Sequence, residues 1–514
     1  MLLDDAGRTG LWVRREEPGP LWIGGAAPTD RLEWIHAVGV VAIGRILASV
    51  APIPTDAGGP VRPARNRPAT CPDRHVGFTD FSDAIPLGWR TPASPALRMS
   101  LPRLQTRARL SEVRYEIRGE LARRARELEA QGRSLIKLNI GNPGAFGFRA
   151  PEHLQRAIAD GIARTDPYTH QQGLPAAREA IVAFHRRRGT PNASPERVFI
   201  GNGVSELIDL SLRALLDPGD EVLLPSPDYP LWSAATILND GRPVHYRCAP
   251  ENGFLPDPDE IESLVTPRTR AIVLVNPNNP TGAVYPRALL ERIVAIAARH
   301  GLLLMSDEIY DGITYDGARF EPLAPIAGEW PCLSFGGLSK VHRACGWRVG
   351  WAVLSGDPLA SGDFHHAMDL LGALRLCANV PGQIAIEAAL TGPDTIGALC
   401  APGGRLHDTR QALIDCCAAS EHLRLVAPMG AMYGFPAVVG DAARGFDDHA
   451  FALQLLEEED VLVVPGSGFN IGARNHFRVT LLPEAGVLRE VFARIERLLA
   501  RRVRSVEAHT SAVA

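Results

Sequence analysis

The residue with the most telling chemistry is Lys340, which closes the stretch Ser334-Phe335-Gly336-Gly337-Leu338-Ser339-Lys340. Of the 54 Lys and Arg residues only two, Lys137 and Lys340, are lysines. Where a plain positive charge suffices, this chain uses arginine, so a lysine is a candidate for chemistry that arginine cannot perform. Arginine stays charged and is no nucleophile, whereas a buried lysine can lose its proton and attack a carbonyl to form an imine. The bland alternative is a lysine with no special task, and the neighbours of Lys340 argue against it.

Those neighbours are an apolar strand at 332–335, a loop of small residues, and then Gly346-Trp347-Arg348-Val349-Gly350-Trp351. Upstream, the apolar run 302–306 ends in Asp307-Glu308-Ile309-Tyr310, a carboxylate and a phenol at a strand end. Further upstream stands Asn276-Pro277-Asn278-Asn279-Pro280-Thr281-Gly282, which alone is turn chemistry. Together and in this order, these motifs resemble the class I/II aminotransferases of fold type I, which use pyridoxal 5'-phosphate (PLP). The resemblance runs from about Ser111 to the final helix near Arg502.

PLP needs an amine to hold it, a carboxylate at its pyridine nitrogen, donors at its 3'-oxygen, a phosphate cup and a ring to stack on. The resemblance implies that Lys340 holds the cofactor and moves the proton, that Asp307 faces the pyridine nitrogen, and that Tyr310 and Asn279 donate to the 3'-oxygen. Glu308, next along the strand, is expected on the other side. Gly203, Val204 and Ser205 would form the phosphate cup at a helix N-terminus, where backbone N–H groups and the helix dipole favour anions. Arg348 would add a charged fork to the phosphate, and Ser339 is a further candidate there. Many relatives carry a phosphate-binding Ser three residues before the lysine, where this chain has Gly337. Tyr229 matches the stacking ring. Tyr168 matches a tyrosine that reaches the partner subunit's phosphate, which implies a homodimer with shared active sites. Arg478 matches the reader of the substrate's α-carboxylate, and an Arg inside an apolar strand needs an anionic partner. Gly141 belongs to a turn lining the substrate site, and Arg375 lies where some relatives read a second carboxylate.

Longer strings, such as Gly201-Asn202-Gly203-Val204-Ser205-Glu206-Leu207 and Arg375-Leu376-Cys377-Ala378-Asn379-Val380-Pro381, look like bacterial alanine (glutamate–pyruvate) aminotransferases. That implies ping-pong transfer of an amino group from alanine to 2-oxoglutarate. An aspartate or broad-specificity aminotransferase, a C–S lyase on the same fold, an aminotransferase-like transcription regulator and a catalytically dead relative are the rival readings. No metal-ligand cluster, Ser-His-Asp arrangement or P-loop occurs in the sequence.

Composition sets the outer bounds. With 514 residues the chain is long enough for two or three domains with substantial cores. The net charge of −4 carries no footprint for nucleic acid. Eight cysteines with irregular spacing and no C-x-x-C pair read as reduced thiols in a cytoplasmic protein. The apolar run 35–53 is interrupted by His36, Arg45 and Pro52, too broken for a membrane span. Residues 1–98 are rich in Pro, Gly, Ala and Arg without a sustained period; a disordered extension, or translation that begins at Met99, are the two main readings.

A helix is expected over 111–131 with Ser111 as N-cap, inside an arm and small-domain segment at 99–145. Apolar strands at 197–200, 221–225, 244–248, 271–275, 302–306, 332–335 and 349–354 alternate with helices. This predicts an α/β fold: a large domain at 146–390 with a mostly parallel seven-stranded sheet covered on both faces, whose ligands gather at the strand ends. A smaller α+β domain follows at 391–502, with a closing helix at 484–499 and a disordered tail from 503.

Overall fold

The computed structural model describes residues 104–115 and 119–513, together with the backbone of three short strands nearer the N-terminus. The chain divides into two compact units, 1–100 and 101–514. In the first, Leu2–Leu3, Thr9–Val13 and Leu21–Ile23 pair antiparallel as a small meander. So at least these three segments depart from the disorder expected for 1–98. The rest of that stretch, including 35–53 and Met99, lies outside the described residues.

The second unit is built on a seven-stranded sheet: β1 (Val198–Asn202), β2 (Glu221–Ser226), β3 (Arg242–Arg247), β4 (Thr269–Val275), β5 (Leu303–Asp307), β6 (Cys332–Gly337) and β7 (Val349–Ser355). The spatial order is β1-β7-β6-β5-β4-β2-β3. Only β7 runs against the rest, antiparallel to both β6 and β1. Every residue of β5 and β7 is buried, and β4 has a single exposed position. Strands covered on both faces must be apolar throughout rather than alternating, which is why continuous apolar runs revealed them. All seven expected strands are present, with ends shifted by up to two residues.

A separate core joins the two ends of this unit. Leu121, Leu128 and Leu138 pack with Leu413, Leu455, Phe477, Val479, Leu488 and Ile495. The first of these lie on or after helix α1 (Glu120–Ala130), which ends one residue short of the helix expected over 111–131 but starts nine residues later. Ser111 sits in a short 3-10 turn, Ala108–Glu112, and its hydroxyl donates backward to the Ala108 carbonyl at 2.7 Å. No helix follows from Ser111 because the chain is extended at Val113. A three-stranded antiparallel sheet in the same region comprises β8 (Tyr433–Gly434), β9 (Val464–Pro465) and β10 (Phe477–Thr480), with β10 central. The closing helix runs over Ala485–Val513, through the segment expected to be a disordered tail. Arg501 pairs with Glu458 and Glu459, and Arg502 donates to the Ala442 and Arg444 carbonyls, so its extension is tied down by contacts distant in sequence.

Candidate active site

The ends of β4, β5 and β6, the start of helix α2 (Val204–Leu215) and strands β8 and β10 surround a cavity of about 700 Å³. Eleven of the sequence-predicted residues line it: Gly141, Val204, Ser205, Tyr229, Asn279, Asp307, Tyr310, Ser339, Lys340, Arg348 and Arg478. They come from positions 141 to 478; parallel strands bring Asn279, Asp307, Ser339 and Lys340 to one edge, and the smaller sheet carrying Arg478 and the loop at Gly141 close on that edge.

Lys340 is half-buried, and its Nζ donates to the Gly141 carbonyl at 2.7 Å. Lys137 is different: it pairs with Glu129 at 2.6 Å on the surface. Asp307 ends β5 with 3% of its surface exposed. The Trp232 indole N–H and the Ile309 backbone N–H donate to its two oxygens, each at 3.3 Å. Burial pushes its carboxyl up to about 6, while these donors and the charge of Lys340 pull the other way. Burial and neighbouring phenols also raise the hydroxyls of Tyr310 and Tyr229, so both stay protonated as donors.

The phosphate cup has a specific shape. Gly203 precedes α2 with φ +81°, and a side chain there would run into the Arg348 guanidinium. Arg348 itself adopts φ +54°, strained for a residue with a Cβ. Its guanidinium donates to the carbonyls of Cys345 (3.1 Å) and Asn202 (3.2 Å), across the helix start. Gly337 does not line this cavity. A Cβ at Gly337 would lie 2.7 Å from the Val349 carbonyl oxygen, so the backbone leaves no room for the serine many relatives carry. Ser205 and Ser339 do face the cavity.

Opposite the cup lies Arg478, 1% exposed on β10. It donates to Asn279 Oδ1 at 3.0 Å and to the Asn139 carbonyl, and its Nε has no partner. The guanidinium lies 4.3 Å from the Tyr433 ring centroid and 4.7 Å from that of Phe469. Among the described residues no carboxylate pairs with it. A buried guanidinium is costly unless its donors are met, and the Nε of Arg478 is left without a partner.

Three predicted residues are not in the lining: Gly203, next to the lining residue Val204, and two that lie elsewhere. Tyr168 is 79% exposed and away from the cavity. Arg375 is not in the lining either; its Nη1 pairs with Glu206 at 2.9 Å and its Nη2 donates to the Ile200 carbonyl at 2.7 Å. As folded here, Arg375 is held away from where it could read a substrate's second carboxylate. Sequence reasoning gave no role to Tyr433, whose hydroxyl lies 3.0 Å from that of Tyr310, or to Tyr115, 3.5 Å from the Tyr229 hydroxyl. Trp232 was likewise left without one. A phenol in the strand after a Pro-Met-Gly turn was the available signal for Tyr433.

A mostly parallel α/β sheet with a buried acid and a lysine amine facing one cavity at its strand ends defines the architecture of an α/β enzyme. The sequence places it further: residues 133–495 match the family "Aminotransferase class I and II", and the chain belongs to that family. It is 45% identical to an alanine aminotransferase of Mycobacterium tuberculosis H37Rv over 392 residues, covering 76% of this chain and 91% of that protein. It is 41% identical to a glutamate–pyruvate aminotransferase of Escherichia coli K12 over 396 residues, covering 77% and 98%. Among solved structures it is similar to an aminotransferase from Escherichia coli (TM-score 0.76, 41% identity, covering 78% and 99%) and to an alanine aminotransferase from Pyrococcus furiosus (TM-score 0.73, 36% identity, covering 77% and 100%).

The enzymes of this family depend on PLP, and so does this one. The residues present fit the cofactor: the space required at Gly203, the cationic fork beside it, the buried Asp307 and the amine of Lys340 are the features such a molecule needs.

Proposed function

We propose that the enzyme transfers the amino group of L-alanine to 2-oxoglutarate, giving pyruvate and L-glutamate. The observation that carries the carboxylate-binding half of this reading is Arg478, a buried cation with no resident acid. The choice of alanine follows from the names of the relatives and from the described lining. Its cations are Lys340, Arg348 and Arg478, so one is left for the substrate once the amine and the cup are assigned. Alanine's methyl side chain asks for no more, whereas the second carboxylate of 2-oxoglutarate has no lining cation of its own among the described residues.

Bound PLP supplies an electron sink for the Cα–H bond of the substrate. Lys340 takes the proton from Cα and returns it, and the Gly141 carbonyl orients its amine beforehand. Asp307 holds a proton on the ring nitrogen by its charge, in a site where burial strengthens that interaction. Tyr310 and Asn279 hold the 3'-oxygen side; because Asn279 Oδ1 accepts from Arg478, its amide N–H groups are left to donate. Tyr229 closes the ring face. Arg478 fixes the substrate carboxylate, so the Cα–H bond is aligned before reaction.

Two such chains form the working enzyme in this reading. Tyr168 is exposed while Leu374 and Leu376 are 72% and 55% exposed on either side of Arg375, which itself donates to the Gln171 carbonyl near Tyr168. Large apolar side chains gathered in this way suit a surface covered by a second copy, from which Tyr168 would reach the partner's phosphate cup. The unpaired described cysteines suit a reducing, cytoplasmic setting.

The test is the absorbance spectrum of the purified enzyme before and after L-alanine. The expected result is a yellow band that gives way to a shorter-wavelength one. A yellow protein that ignores alanine but is bleached by aspartate would replace this substrate assignment with the aspartate rival.

A further inference from the structure

We propose that Arg375 is a positioning residue for the phosphate cup, acting through Glu206, Asn202 and Asn379 rather than through the substrate. The proposal rests on the PLP-binding character of the site and not on the identity of the amino donor.

One connected set of hydrogen bonds runs beneath the cup. Glu206 stands in the first turn of α2 and faces backward. Its Oε2 accepts from the Arg375 guanidinium at 2.9 Å and from the Asn202 backbone N–H at 2.7 Å, and its Oε1 accepts from the Asn202 amide at 3.0 Å. Asn202 Oδ1 in turn accepts from the Asn379 backbone N–H at 2.9 Å. Asn379 Nδ2 then donates to the Arg348 carbonyl at 3.0 Å and the Trp347 carbonyl at 3.3 Å. The ring closes where the Arg348 guanidinium donates to the Asn202 carbonyl at 3.2 Å.

None of Arg375, Glu206, Asn202 and Asn379 lines the cavity, yet the two groups they bracket do. On one side is the start of α2, whose N–H groups face an anion. On the other is Arg348, held in a left-handed conformation that persists only where the surroundings over-determine it. Asn379 supplies that restraint by gripping the carbonyls on both sides of the Arg348 nitrogen. Arg375 anchors the set to the sheet, because its second nitrogen donates to the Ile200 carbonyl of β1. Without Arg375, Glu206 loses its counter-ion, and a half-buried carboxylate pulls away toward water, loosening Asn202 and the helix start together.

The experiment is a titration of the apoprotein with PLP and, separately, with pyridoxal, which lacks the phosphate, for the wild type, Arg375→Ala and Glu206→Gln. Both variants should bind PLP about tenfold or more weaker, the worth of one hydrogen bond to a charged group. Affinity for pyridoxal should change little, so the ratio of the two affinities collapses. With saturating PLP, the KM values for alanine and 2-oxoglutarate should move by similar factors. A fall in both PLP and pyridoxal affinity would mean general damage and overturn the proposal, as would unchanged PLP affinity. A rise in KM for 2-oxoglutarate alone would restore Arg375 as a substrate reader. If Arg375→Ala does not fold, Glu206→Gln and Arg375→Lys decide by the same ratio.

Discussion

Asp307 and Glu308 are neighbours in sequence, yet each opens on a different cavity. Asp307 faces the 700 Å³ space with Lys340 and Arg478; Glu308 faces a second one of about 210 Å³, lined also by Arg188, Asp311, His342 and Asp394. Burial pushes both acids up, Asp307 to about 6 and Glu308 to about 7. The difference is in what holds them. Glu308 has a resident arginine, Arg188 at 3.9 Å, and accepts from the Ser306 hydroxyl and the Leu323 backbone N–H. Asp307 has N–H donors that fix its direction, and among the described residues the cation that acts on it is Lys340, the lysine of the proposed reaction. Equal burial therefore marks neither acid as functional. What separates the two is the counter-ion.

The largest expected effect is at the amine. Lys340→Ala should lower turnover by about 10³-fold or more, since it removes both the cofactor's covalent anchor and the proton carrier. Lys137→Ala should leave turnover unchanged, because a surface pair with Glu129 is worth about 1 kcal/mol at most. Steady-state assays of both variants, loaded with PLP, check this; substantial transamination by Lys340→Ala would remove the central assignment. Next comes the strand end. Asp307→Asn should cost about 10²-fold or more in kcat, the size found for a lost electrostatic contact in a closed site. Glu308→Gln should stay within a few-fold of wild type. Equal losses in the two variants would erase the distinction between the cavities.

How much of this was legible follows the range of the interactions involved. The inner strands of the sheet announce themselves as apolar runs, while the edge strand β3 mixes Arg and His with Val and Tyr; a Lys, Asp or Asn at a run's end is visible as a local pattern. Tyr433 is visible locally only as a phenol in a strand after a turn; its place beside Tyr310 and Arg478 depends on two sheets meeting. Arg375 shows the opposite failure. Its local string points to a carboxylate, and it does bind one, but the acid is Glu206 of the same chain, 169 positions away. The start of α1 was misplaced because Ser111 has the right type for a cap, but the chain is extended at Val113 and the helix starts only at Glu120. Residue type and spacing report what a side chain can bind; only the fold decides which partner arrives.

The smallest expected effect, on stability, separates the two acids most cleanly. Each has a folded-state value raised above its ordinary one, from 3.8 to about 6 for Asp307 and from 4.5 to about 7 for Glu308. The protonated form is thus favoured in the fold. The contribution to stability is fully present below the ordinary value and is lost as pH rises through the raised one. At pH 8 each ionised acid then destabilises the apoprotein by roughly 3 kcal/mol at most, at 1.36 kcal/mol per unit. An amide in place of either acid should raise the apoprotein's melting temperature by a few degrees at pH 8 and do nothing near pH 4. PLP distinguishes them. Its protonated ring nitrogen gives Asp307 the cation it lacks, so the gain from Asp307→Asn should disappear or reverse in the loaded enzyme. Glu308 gains no partner from the cofactor, so the gain from Glu308→Gln should survive loading. Melting curves of both variants, with and without PLP at the two pH values, test this; a gain from Asp307→Asn that persists in the loaded enzyme would mean that Asp307 does not face the cofactor's nitrogen.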